Sequence, residues 1–286
     1  MIRLDAATVL LQWATGGLLF LWVTTRRRQV GIGYGWLLRG TYLVMAVGGV
    51  VVGRAFGPVP VRDVCAALMA VGTGAALVLS IVRRRAGVRG ERARQERRSA
   101  RVAAMTGIER DAPAKDVDVP EFPPVADLIP PIIGAVGLVA AGLAAGGPDV
   151  LAVVRTLVGA AFLGAVTDAM LLGHWYLVQP GLGRQPLLEL NRWLALVWPL
   201  EVAALLWPTG MFSVFAGTID DGYGGLLGWF WATCAVTTII LTAVTRAALK
   251  ERAYSAVMAA TGLLYLAILT AFGTDLVARA ILSSGS

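Results

Sequence analysis

Apolar runs of about 20 residues recur along this chain, and no other feature narrows its fold as far. A run of that length crosses the ~30 Å hydrocarbon core of a bilayer as a helix. Lipid offers no partner for an open backbone N–H or C=O, so the helix, which satisfies its own backbone, is the form such a run takes. Eight runs are legible, near residues 7–25, 36–53, 64–82, 132–146, 150–172, 192–207, 226–245 and 254–273. Composition agrees: 57% of the 286 residues are hydrophobic and 15% are charged, where a soluble domain carries about 25% charge. The expected fold is all-α, a polytopic membrane helix bundle of eight transmembrane helices.

One long polar arm, residues 83–131, interrupts the runs and divides the chain into residues 1–82 with three spans and 132–286 with five. The arm is basic first, with nine Arg between Arg83 and Arg101. It then turns acidic at Glu109, Asp111, Asp116, Asp118, Glu121 and Asp127, and ends among prolines at Pro123, Pro124, Pro130 and Pro131. Its basic part, near 88–105, is expected to form a helix ended by Gly107. The bases of 83–101 would bind anionic lipid headgroups, at about 1 kcal/mol per base near the surface. The acidic part would dock back on the basic part in a salt-dependent way.

Charge also sets the orientation. With both termini outside (N-out/C-out), 20 bases lie on the inner side and 5 on the outer; without the arm the split is 9 to 5, in the same direction. The first run ends in Arg26-Arg27-Arg28 rather than starting with bases, the reverse of a cleaved signal peptide. The reading is therefore a multi-pass protein of the cell (plasma or inner) membrane, with a cytoplasmic arm. The net charge of +7 follows from that topology, so no nucleic-acid partner is expected. Cys65 and Cys234 lie in separate apolar runs without a CxxC pair, and are read as small buried side chains.

Two acids cannot be moved out of the apolar runs. Asp168 sits about four residues short of the inner end of the fifth run, and Glu201 lies near the middle of the sixth. An ionisable group at that depth costs several kcal/mol unless paired or hydrated, which makes it a candidate functional group. Pro199, just before Glu201, frees the Ala195 carbonyl one turn back. The plain alternative is a pair of neutral acids that brace the bundle.

His174, the only histidine, follows the fifth run with Trp175 and Tyr176 beside it. An imidazole, a phenol and an indole at an interface suit a quinone head, although an interfacial anchor accounts for the same residues. One histidine excludes a bis-histidine heme, and a zinc site of His174, Asp168 and Glu201 would need ligands from different depths. No metal and no resident cofactor are expected, with a quinone the one candidate ligand. The stretch 179–192 holds Arg184 and Arg192 at the inner interface, where both are expected to contact lipid phosphates.

The glycine stretch Gly31-Ile32-Gly33-Tyr34-Gly35 follows no strand and so fails as a dinucleotide loop. Gly222-Tyr223-Gly224 lacks the residues that line a potassium filter. No inverted repeat is legible. The leading expectation is a non-catalytic membrane subunit of a larger assembly, with other membrane subunits as partners. Between its fifth and sixth spans it would carry a polar site for a proton or a quinone-like amphiphile. The alternatives are a proton-coupled secondary transporter of a small solute and a lipid- or isoprenoid-modifying membrane enzyme.

Overall fold

A carboxylate starts the first helix. Asp5 accepts hydrogen bonds from the backbone N–H groups of Ala7 and Thr8 and so caps α1 (Ala6–Thr25). The computed structural model describes residues 4–27, 29–83, 122–146, 149–178, 182–207, 210–251 and 253–284. Among these residues there is no strand. After α1 come α2 (Ile32–Phe56), α3 (Pro60–Val82), α4 (Ile129–Ala144), α5 (Asp149–Val178), α6 (Gln185–Leu206), the short α7 (Met211–Phe215), α8 (Leu226–Lys250) and α9 (Tyr254–Ser284). A single 3-10 turn, Pro124–Asp127, precedes α4. Seven of the helices are long and apolar enough to cross a membrane. Large apolar side chains such as Val44, Val51, Val71, Leu200 and Leu269 face outward, the reverse of a water-soluble surface. The chain is thus an integral membrane helix bundle.

Several boundaries differ from the sequence expectation. The sixth helix begins at Gln185 rather than near 192, because Pro186 falls in its first turn, where proline is tolerated. It carries Glu189, Arg192 and Glu201, and it is not among the seven helices that qualify by length and apolarity. The fifth helix runs on to Val178, so His174, Trp175 and Tyr176 are helical rather than loop residues. The second helix begins at Ile32, which takes most of the Gly31–Gly35 stretch into a helix. The helix and the acidic segment expected between 88 and 121, and their lipid contacts, lie outside the described residues.

The end of the arm is fastened. The Arg39 side chain donates to Asp127 from Nε at 2.7 Å and from Nη2 at 2.6 Å, and Thr25 donates to the same carboxylate at 3.2 Å. The Phe122 ring lies under the Arg39 guanidinium, 4.5 Å from its Cζ. At the opposite end of α1, the Arg62 side chain bridges Asp5, Asp63, Thr8 and the Gly57 carbonyl.

α1 and α5 are the most enclosed spans. α1 packs on α2, α4 and α5; α5 also packs on α4, α6 and α9; α8 closes against α9 and α6. The α1–α5 crossing is a backbone contact. A Cβ added at Gly16 would stand 1.7 Å from the Ala160 carbonyl oxygen, and one at Gly164 would stand 2.1 Å from the Gly16 carbonyl carbon. Small residues four apart let helices approach this closely in lipid.

Candidate functional site

Four helices deliver ionisable and amide side chains to one place. Gln12 comes from α1, Arg155 from α5, Glu201 from α6, and Asp275 with Arg279 from α9; each is at most 1% exposed. Their positions fit one depth. Gln12 and Arg155 lie six residues inside their N-terminal ends, about 9 Å at helical rise, and Glu201 lies about 8 Å from the C-terminal end of α6. Gly159 lets the polar heads close up: a Cβ there would stand 2.2 Å from Gln12 Nε2 and 2.8 Å from Asp275 Oδ1.

Asp275 is the satisfied member of the group. Arg279 Nε donates to its Oδ2 at 2.8 Å across one helical turn, and Gln12 Nε2 donates to its Oδ1 at 3.5 Å. Arg155 Nε donates to the Ala204 carbonyl at 2.8 Å, near the end of α6. Glu201 faces Asp275, Arg279 and Arg155, yet neither of its oxygens receives an N–H or O–H. The Asp275 carboxyl is the acid beside it. Eleven buried side-chain polar atoms lack a partner among the described residues. Five of them are here: Gln12 Oε1, Arg155 Nη2, both Glu201 oxygens and Arg279 Nη2. Each buried polar atom left open costs about 1–3 kcal/mol, and these five come from four different helices.

Asp168 stands apart from this group. It lies 13 residues beyond Arg155 on α5, about 20 Å at helical rise, with the Gly16–Gly164 backbone contact between. Tyr42 of α2 donates to Asp168 Oδ1, and the Tyr34 hydroxyl donates to its backbone carbonyl at 3.3 Å. Trp13 Nε1 donates to the neighbouring Thr167 at 2.9 Å. Only Oδ2 remains open.

The remaining candidates diverge. His174 is exposed and its Nδ1 lies 3.1 Å from the Tyr265 hydroxyl of α9. Trp175 packs on Tyr34 with ring centroids 6.0 Å apart. Tyr176 is buried, and its hydroxyl donates to the Gly183 carbonyl. Successive residues of one helix turn about 100° apart, so the three side chains do not form one wall. Arg184 donates to the carbonyls of Leu249 at 3.3 Å and Ala253 at 2.9 Å, capping the α8–α9 turn. Arg192 is exposed.

Sequence reading missed Gln12, Arg155, Asp275 and Arg279. The outer-side count had included Arg155, Arg279 and Arg62, but all three are buried in the bundle. One signal was available: Asp275 and Arg279 are four apart in a stretch that stays apolar to Leu282, the spacing of a helical ion pair. No family model, curated protein or solved structure matches the chain, and the side chains alone carry its functional reading.

Proposed function

We propose that this integral membrane protein handles protons at the Glu201–Asp275 carboxyl pair, as the membrane subunit of a larger assembly. The observation that carries the reading is Glu201 itself. It is fully buried, has no donor on either oxygen, and is set against a second carboxyl between two guanidiniums. Two carboxyls in contact away from water hold one proton between them and release it when a cation or water approaches. Eight crossings with both termini outside accommodate the site, with α6 as the eighth crossing. With Arg62, Arg155 and Arg279 buried, the outer side keeps only Arg3 and Arg54 of its five bases. That sharpens the positive-inside bias and suits the plasma or inner membrane. Arg192 is the base we assign to lipid phosphate.

The test is infrared difference spectroscopy of the purified full chain, reconstituted in lipid and titrated with acid and base. A protonated carboxyl band should titrate and should be missing in Glu201→Gln. A band that titrates unchanged in that variant, or no carboxyl band at any pH, overturns the reading.

A further inference from the structure

Away from the buried cluster, a cleft opens at the end of the bundle where α6 leads through α7 into α8. It encloses about 580 Å³, within the roughly 300–1,000 Å³ of small-molecule sites. Its walls include Phe215 of α7, Trp229 in the first turn of α8, and Asp220, Asp221, Gly224 and Gly225 of the turn between them. The Phe215 and Trp229 rings meet edge to face, with centroids 5.7 Å apart. Trp229 stays 68% exposed, so much of the indole is left uncovered.

The two acids have different duties. Both oxygens of Asp221 are taken up by backbone N–H groups at the start of α8. Oδ1 accepts from Tyr223 and Gly225, and Oδ2 from Leu227 and Gly228. Its charge is thereby matched to the positive end of that helix. Asp220 is exposed and accepts from the Gly222 N–H through Oδ1 at 2.9 Å. That bond uses one of its two oxygens. No Lys, Arg or His occurs between residues 208 and 245, and no base lines the cleft. The Asp220 charge is therefore answered by no base of this stretch or of the cleft wall. A carboxylate beside uncovered aromatic rings is the chemistry that receives an organic cation. A calcium ion needs about six to eight oxygen ligands. Among the described residues no three His, Cys, Asp or Glu side chains gather as ligands, and the Asp221 oxygens already face N–H donors.

We propose that this cleft binds an alkylammonium group, carried either by a small free amine or by the head of an aminophospholipid. The ammonium pairs with Asp220, and its alkyl substituents lie on Trp229 and Phe215. The cleft is reachable by either source. Tyr223 and Leu226, next in sequence to wall residues, are largely exposed, and Trp and Tyr side chains collect at the depth of lipid headgroups. Neither Glu201 nor any residue that faces it lines the cleft.

The experiment follows thermal unfolding of the full chain in a sugar-headed detergent while ethylammonium chloride replaces sodium chloride at constant ionic strength. The melting temperature should rise and saturate, as it does for a ligand of the folded form alone. Asp220→Asn keeps an oxygen for the Gly222 N–H but loses the charge, and should abolish the saturating rise. Trp229→Leu should weaken the apparent affinity about two- to fivefold. In a second arm the chain is placed in vesicles of equal parts phosphatidylethanolamine and phosphatidylglycerol and re-extracted, and the retained lipid is measured by mass spectrometry. Retention of phosphatidylethanolamine over phosphatidylglycerol that Asp220→Asn loses identifies the lipid head, whether or not free ethylammonium acts. An ethylammonium rise without that retention identifies a free amine. Either supports the proposal.

Three results overturn it. They are a wild type with neither the saturating rise nor the lipid preference, a rise or preference of equal size in Asp220→Asn, and stabilisation by calcium ions that ethylammonium does not reproduce. If Asp220→Asn fails to fold, Trp229→Leu decides, and an affinity equal to that of the wild type overturns the proposal.

Discussion

At the scale of the residue, the bundle tolerates buried ionisable groups only where they meet one another. Glu201→Gln keeps the size and polarity of the side chain and should unfold within about 1 kcal/mol of the wild type. Glu201→Leu leaves two guanidiniums facing one carboxyl and should cost about 3–5 kcal/mol, read as a lowered melting temperature in detergent. At Asp168, Tyr42→Phe removes the one hydroxyl that donates to the carboxyl. The expected loss is about 1–3 kcal/mol, and an unchanged melting temperature would count against Asp168 as a brace between α2 and α5. Asp221 gives the pH dependence outside the membrane. The backbone N–H of Gly225, with those of Tyr223, Gly228 and Leu227, donates to its carboxylate and holds its pKa below the usual aspartate range. Its stabilisation is therefore complete above the ordinary value of about 3.9 and is lost as pH falls through the lowered one. Asp221→Asn should expose residues 216–225 to protease at neutral pH, with wild type and variant converging only in acid. Asp168 and Glu201 were legible in the sequence because nothing apolar excuses an acid inside a run. Asp275 and Arg279 were not, because the last span read as ending near Gly273 with at most a frayed helix on to Leu282, yet α9 continues to Ser284.

At the scale of the element, close helix contact rather than side-chain volume decides what can change. Gly16→Ala drives a methyl into the Ala160 carbonyl and must part α1 from α5; about 1–3 kcal/mol is expected. Gly40 lies inside α2 with open space around its added Cβ. Gly40→Ala should be neutral or stabilising by up to about 1 kcal/mol. Melting both variants in the same detergent checks the contrast, and equal effects would remove the α1–α5 contact as the cause. Helix existence was readable from apolar run length, and helix ends were not. Pro130 and Pro131 read as the first turn of the fourth span, and Pro186 as a loop residue. In the structure they occupy first turns, where no N–H is needed.

At the scale of the whole molecule, orientation is open to a direct measurement. A single cysteine at Thr218 should react with an impermeant thiol reagent from the outer face, and one at Glu251 only after the inner face is opened. Labelling of both from one side ends the proposed topology. The order in which helices pack was not legible, since every run presents the same apolar face to lipid and to protein. Only contacts such as Arg39–Asp127 and Tyr42–Asp168 reveal which faces meet. The first ties the end of the arm to the portion before it, and the second joins that portion to the portion after the arm, as do the packing of α1 on α4 and α5 and that of α3 on α4. The polypeptide link through the arm is thus redundant with a broad noncovalent seam. Segments 1–83 and 122–286, expressed from separate messages, should find each other in the bilayer and copurify as a folded pair, and Arg39→Ala, by opening the Asp127 end of that seam, should weaken their reassembly.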